Sequence, residues 1–271
     1  MNWPTWNQSA IAAVIALVIA TIARRRARPG WESHVAPAAT EFALIAGLYT
    51  VWRVARKLPL AQPDGAIERA HQIERLEHRM HLPSELRLQR WFLRHDAVAH
   101  ATNVYYATLH VPVLIGFLVW LYIRHRDQFP RWRNALAILT GFCLVIRFIR
   151  VAPPRFLPGY VDLATRYGMS LYGPVNKGIS DQFAAMPSIH VGWAAVVSFG
   201  IVSCSTSKWR WLALGYVTLT FIAVSATGNH WWLDGIVACI LLGVALVLDD
   251  LGRKYFRARR ASQSEEARSS T

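Results

Sequence analysis

The chain has 271 residues, 54% of them hydrophobic, with a mean hydropathy of +0.23 and a net charge of +14. A water-soluble fold of this length does not carry so many apolar runs near the roughly 17–25 residues that cross a bilayer, so composition points to an integral membrane protein. The positive charge lies in short loops between those runs rather than as a stripe on a soluble domain, which argues against nucleic acid as a partner.

Seven spans are expected, or six at the least, in an all-α membrane bundle. The first covers residues 9–23. No basic region precedes it and a basic cluster follows it, so it reads as a retained anchor rather than a signal peptide. The second covers residues 35–52. Residues 56–96 then carry eight basic and six acidic side chains, so little net charge remains there. Ile73, Leu76 and Met80 recur at helical spacing, as do Leu88, Trp91 and Phe92, and Pro83-Ser84-Glu85 marks a break and a new helix start. Two short amphipathic helices follow from this pattern, lying on the membrane surface or packed on the bundle.

The third and fourth spans are expected at 97–123 and 134–152. A long connection, 153–186, carries Arg155, Tyr160, Asp162, Arg166, Tyr172, Asn176, Lys177 and Asp181 among glycines and prolines, the composition of a site-bearing loop. Spans five to seven follow at 187–204, 209–227 and 231–248, and the polar stretch 261–271 reads as a disordered tail. The chain so divides into a two-span appendage (1–60), an interfacial pair (61–96), a membrane core (97–252) and a basic tail (253–271). Cys143, Cys204 and Cys239 all fall in apolar runs and offer neither a disulfide framework nor metal-site spacing.

Arginine and lysine fix the expected orientation. Arg24, Arg25, Arg26 and Arg28 share one side with Arg124, Arg126, Arg131 and Arg133, with Lys208 and Arg210, and with Arg253, Lys254, Arg257, Arg259 and Arg260. The positive-inside rule makes that side cytoplasmic and puts the N-terminus outside. Three polar segments then meet at the outer face: Arg147, Arg150 and Arg155; Met186-Pro-Ser-Ile-His190; and Thr227-Gly-Asn-His-Trp-Trp-Leu-Asp234.

His230 and Asp234 are the most informative pair. A carboxylate four residues after a histidine lies on the same helix face, where it can accept a hydrogen bond from one ring nitrogen and leave the other electron-rich. Ionisable groups at membrane depth are functional candidates by default. Blander readings stand beside this one. The pair could be a structural hydrogen bond, or two histidines and an aspartate could hold a metal, although no convincing further ligand is present. Ser188 suits an N-cap as well as a phosphate ligand. Arg147 and Arg150 could snorkel from a span end. His100, Asn103 and His110 suit interhelical hydrogen bonds, and most tryptophans, Trp231 and Trp232 included, suit an aromatic belt.

The segment Asp181-Gln-Phe-Ala-Ala-Met-Pro-Ser-Ile-His-Val-Gly-Trp193, followed by Thr227 to Asp234, resembles the type 2 phosphatidic acid phosphatase superfamily. Ala152-Pro-Pro-Arg155 and the stretch from Leu88-Gln-Arg-Trp to Asn103-Val-Tyr-Tyr-Ala-Thr-Leu-His110 resemble its inositolphosphotransferase branch, the group that holds inositol phosphorylceramide synthase. The resemblance covers roughly the last two thirds of the chain. It implies that His230 attacks phosphorus, that Asp234 orients it, that His190 protonates the leaving oxygen and that Ser188 binds a phosphate oxygen. It also implies a lipid phosphate substrate, with water, a polyol or a lipid alcohol as acceptor, and no cofactor or metal. Simple hydrolysis of phosphatidic acid or polyprenyl phosphate is the alternative activity, and a non-catalytic lipid transporter or scaffold the alternative class. Phe148 stands where the superfamily has a lysine and Val224 where it has an arginine. The anion clamp is therefore expected from Arg155 first, then Arg150, Arg147 and Lys177. The expected setting is a multi-pass inner (plasma) membrane protein with an extracytoplasmic site.

Overall fold

The computed structural model is all-helical, with no β-strand among the described residues, which are 4–26, 32–55, 65–167 and 182–269. The chain divides into two compact units, residues 1–60 and 61–271. In the first, helices α1 (Trp6–Arg26) and α2 (Glu32–Ala55) form a hairpin. Arg24 Nη2 donates to Thr40 Oγ1 at 2.8 Å near one end, and Tyr49 Oη donates to the Pro4 carbonyl at 3.3 Å near the other, so the two helices run antiparallel. Ser9, Ala13, Ala16, Ala20, Ala36 and Ala43 are buried in it. Small side chains let two backbones approach closely where lipid supplies no hydrophobic contrast.

The second unit opens with α3 (Ala66–Arg79) and α4 (Glu85–Leu93). Their buried faces are Ala66, Ala70 and Glu77, then Glu85, Gln89 and Phe92, whereas Leu76, Met80 and Trp91 are exposed. The face turned to the protein thus carries two carboxyls and an amide, and much of the expected apolar stripe faces outward.

Helices α5 (Asp96–Thr108) and α6 (His110–Arg124) cover the residues of the expected third span, with a 49° bend at Leu109. Pro112 explains the bend: it has no N–H for the Thr108 carbonyl and its ring crowds that oxygen. Helix α7 (Phe129–Ile146) stops six residues before the expected end of span four. Pro153 and Pro154 disfavour helix just upstream, and Val151 instead pairs in extended form with residues 183–185. The connection holds a 3-10 turn, Pro154–Phe156, and the short α8 (Leu163–Arg166), capped by Asp162.

Helix α9 (Ile189–Cys204) lies at the centre, packed against α6, α7, α10 (Leu214–Ala226) and α11 (Trp232–Ser269). Its buried face is Val191, Gly192, Ala194, Ala195, Val196, Val197, Ser198 and Gly200. A Cβ at Gly192 would sit 3.1 Å from Leu139 Cδ2, and one at Gly200 would fall on the Phe117 ring. At the far end of α11, Asp249 accepts from Asn134 Nδ2 at 2.7 Å and pairs with Arg253, tying α11 to α7.

Each expected span falls on helical segments, yet among the described residues four helices are long and apolar enough to cross a membrane, or up to five when the bent pair counts as one. Helix α9 is apolar but has 16 residues, and α7 opens on Phe129-Pro-Arg-Trp-Arg133. The polar stretch expected to be a disordered tail is helical as far as Ser269. Its alanines, arginines, glutamates and glutamine are strong helix formers, and α11 supplies the nucleus they extend.

Candidate active site

The three polar segments meet through backbone pairing. Val151 N donates to Phe183 O at 2.9 Å and Ala185 N to Val151 O at 3.2 Å, which docks the 150s loop on the approach to α9. Arg155 N donates to Gly228 O at 3.0 Å, and Trp231 Nε1 to Ala152 O at 2.9 Å, which docks the same loop on the α10–α11 turn. Gly228 has φ +70°, a conformation an L side chain rarely adopts. Ser188 N donates to Asp234 O at 3.0 Å, joining the starts of α9 and α11.

His230 is buried, and its Nδ1 faces two oxygens, Ala185 O at 2.7 Å and Asp234 Oδ2 at 3.3 Å. A carbonyl can only accept, so Nδ1 carries the proton and Nε2 of the neutral ring holds the lone pair. Nε2 is buried with no hydrogen-bond partner among the described residues. The orienting group nearest the ring is therefore a backbone carbonyl. Asp234 lies farther off, and its Oδ2 also caps Trp231 N at 2.8 Å. Asp234 is fully buried, and its Oδ1 has no partner among the described residues.

His190, in the first turn of α9, brings its ring centroid to 5.9 Å from that of His230. On its other sides lie Tyr106 at 4.5 Å and His110 at 5.1 Å. His110 Nδ1 meets Tyr216 Oη at 3.0 Å, and Tyr105 Oη meets Thr220 Oγ1 at 2.8 Å, so His110 does bond between helices, joining α6 to α10. Ser188 is the N-cap of α9, with Oγ accepting from Val191 N at 3.4 Å.

Arg155 lies beside the histidine loop. Its Nη1 donates to Asn229 Oδ1 at 2.5 Å, its Nε is 3.8 Å from Asp162 Oδ2, and its guanidinium covers the Phe156 ring. Arg147 and Arg150 are 7% and 5% exposed, which does not fit snorkelling. Arg150 Nη2 is buried with no partner among the described residues, while the Arg150 carbonyl accepts from Arg69 Nε. Lys177 lies outside the described residues.

Several residues of this constellation went unassigned in the sequence. Asn229 holds Arg155 and also donates to Thr227 Oγ1 at 2.8 Å. Gln89, fully buried, donates to Val161 O and Ala226 O and accepts from Val161 N, so one amide joins α4, the 150s–160s connection and the end of α10. Its signal was its place in the Leu88-Gln-Arg-Trp stretch. Trp231 is fully buried and belongs to the core rather than an aromatic belt, because its indole N–H finds a backbone carbonyl inside. Among the described residues, no three His, Cys, Asp or Glu side chains converge so as to hold a metal ion.

The family model of the PAP2 superfamily matches residues 71–248. No curated protein and no solved structure gives a significant match. The family match runs from within α3, through both histidine motifs, to the apolar end of α11, more than half of the chain, and the protein belongs to the PAP2 superfamily.

Proposed function

We propose that the protein transfers phosphoryl-type groups of membrane lipids through a phosphohistidine at His230. The observation that carries this reading is the Nδ1 proton shared toward Ala185 and Asp234, which leaves the Nε2 lone pair uncommitted. That lone pair attacks phosphorus while the bond to the leaving oxygen breaks. His190, entering as imidazolium, gives its proton to that oxygen. The phosphorylated ring is cationic, and Ala185 O and the Asp234 carboxylate stabilise it. In the second half, neutral His190 takes the proton of an acceptor hydroxyl, the acceptor oxygen bonds phosphorus, and the N–P bond breaks. Charge on the equatorial oxygens is met by arginine, with Arg155 as first candidate, then Arg150, Arg147 and Lys177, and Ser188 as a hydroxyl donor. Such a site needs no metal.

The resemblance of Ala152-Pro-Pro-Arg155 and of the Leu88 to His110 stretch favours an inositol-type polyol phosphate as the transferred group. Hydrolysis of phosphatidic acid or polyprenyl phosphate uses the same first half and water in the second. An extracytoplasmic site in the inner membrane is supported by the arginine-rich turns, Arg124 to Arg133 and Lys208 to Arg210, at the other ends of the helices that carry the histidines. The test is turnover by purified protein in detergent with excess chelator. Phosphatidic acid, polyprenyl phosphate and phosphatidylinositol serve as donors, with and without a polyol or lipid alcohol. Turnover that survives chelator supports the reading; lipid binding without turnover of any donor favours a transporter or scaffold. In a chain without its native cysteines, Thr165→Cys reacts with an impermeant reagent in intact cells and Ser207→Cys does not.

A further inference from the structure

The first N–H groups of a helix have no partner within it. At the start of α11 three successive ones are met by three different carboxyls. Trp231 N donates to Asp234 Oδ2 at 2.8 Å, Trp232 N to Glu85 Oε1 at 3.3 Å, and Leu233 N to Glu77 Oε1 at 2.7 Å. Two of these acids come from α4 and α3, more than 140 residues away in the chain. Glu77 and Glu85 are 3% and 4% exposed. Glu77 Oε2 is buried with no hydrogen-bond partner, the two carboxyls lie close enough to interact, and no lysine or arginine pairs with either among the described residues.

We infer that Glu77 and Glu85 are positioning residues: a buried carboxyl pair that clamps the first turn of α11 and so sets the His230–Asp234 geometry. The inference rests on the proposed role of His230. A helix N-terminus offsets about half a unit of negative charge. Three buried carboxylates at one terminus would exceed that, and two acids in contact cannot both ionise cheaply. Burial first, then the contact with Glu85, pushes Glu77 up to about 10, and burial also raises Glu85. At neutral pH the pair therefore keeps a proton. The other titratable groups facing it are Asp234 on α11 and Tyr160 from the connecting loop. The retained proton limits the negative charge that reaches Asp234, and through it His230, which has to stay neutral to act as a nucleophile.

Neither acid is offered as a contact of the substrate, so the effect falls on kcat rather than KM. Glu77→Gln keeps an acceptor for Leu233 N, whereas Glu77→Leu removes it. We expect His230 phosphorylation by a lipid phosphate donor to stay within about twofold of wild type in E77Q. In E77L it should fall about tenfold or more with KM little changed, the scale expected of a displaced nucleophile. Equal rates in E77L and wild type, or equal loss in E77Q and E77L, would overturn the inference. Carbethoxylation of His230, mapped by peptide mass spectrometry across pH, reads the same point without turnover. The profile should shift in E77L and not in E77Q, and identical profiles in all three would overturn it. Failure of the phosphohistidine reading shows separately, as wild type that never labels on His230. Glu85→Gln repeats the comparison should E77L not fold.

Discussion

His230 Nδ1 donates to the Ala185 carbonyl at 2.7 Å, closer than it comes to Asp234 at 3.3 Å. A backbone oxygen has no protonation state in the working range, so the ring keeps its tautomer and orientation even when the carboxylate is altered. Asp234 is left with two other tasks: it completes the negative field behind the ring and caps Trp231 N.

Asp234→Asn therefore separates charge from orientation. It keeps an acceptor for Trp231 N, and Ala185 keeps the tautomer. The expected result is loss of phosphoryl transfer on the order of a hundredfold, with the thermal midpoint little changed. His230→Ala removes the proposed nucleophile, and about a thousandfold or greater loss is expected. Single-turnover rates measured side by side check the order of the two variants.

Arg155 is fixed by Asn229, so Asn229→Ala should act on substrate binding. Removing one neutral partner of a guanidinium leaves its charge intact but frees its geometry. KM is expected to rise about tenfold with kcat reduced less, whereas Arg155→Ala should lower kcat/KM on the order of a thousandfold. Initial-rate kinetics over a range of donor lipid reads both.

Gly228 turns the chain between α10 and His230 with φ +70°, and a Cβ there would stand 3.0 Å from Gln89 Nε2. Gly228→Ala meets backbone strain and a crowded amide together, so a loss of about 1–3 kcal/mol is expected. A drop in thermal midpoint in detergent measures it. An unchanged midpoint would mean that the loop and Gln89 rearrange freely.

The pH dependence of stability has a definite sign. Glu77 has an ordinary value of 4.5 and a folded value of about 10, raised by burial first. Between these values the folded chain keeps a proton that the unfolded chain has released. Stability from this group is complete below 4.5 and falls as pH rises toward 10. The thermal midpoint should decline over that window more steeply in wild type than in Glu77→Gln. Equal slopes would show that Glu77 ionises normally.

The histidine motifs were legible because their signal is local: Asp234 lies four positions after His230 and His190 two after Ser188, each pair at the edge of an apolar run. What remained hidden is long-range. Ala185 became the partner of His230 only because Val151 pairs with residues 183–185, and no spacing encodes which backbone carbonyl a ring will meet. Nothing in the sequence marks Glu77 and Glu85 as buried, since acids are rarely buried without partners. Their partners are N–H groups of α11, invisible until the chain has folded. Trp231 followed the statistics of interfacial tryptophan until a carbonyl in the core accepted its N–H. The third span read as continuous because its hydropathy is continuous, and the bend at Leu109 follows from the single residue Pro112.

The most direct measurement is the mapping of label after brief reaction of the purified protein with a ³²P-labelled lipid phosphate. The account predicts an acid-labile, alkali-stable phosphoramidate on the peptide containing His230. It should be absent in His230→Ala and should form slowly in His190→Ala. Turnover with no label on His230, or undiminished turnover in His230→Ala, would contradict it.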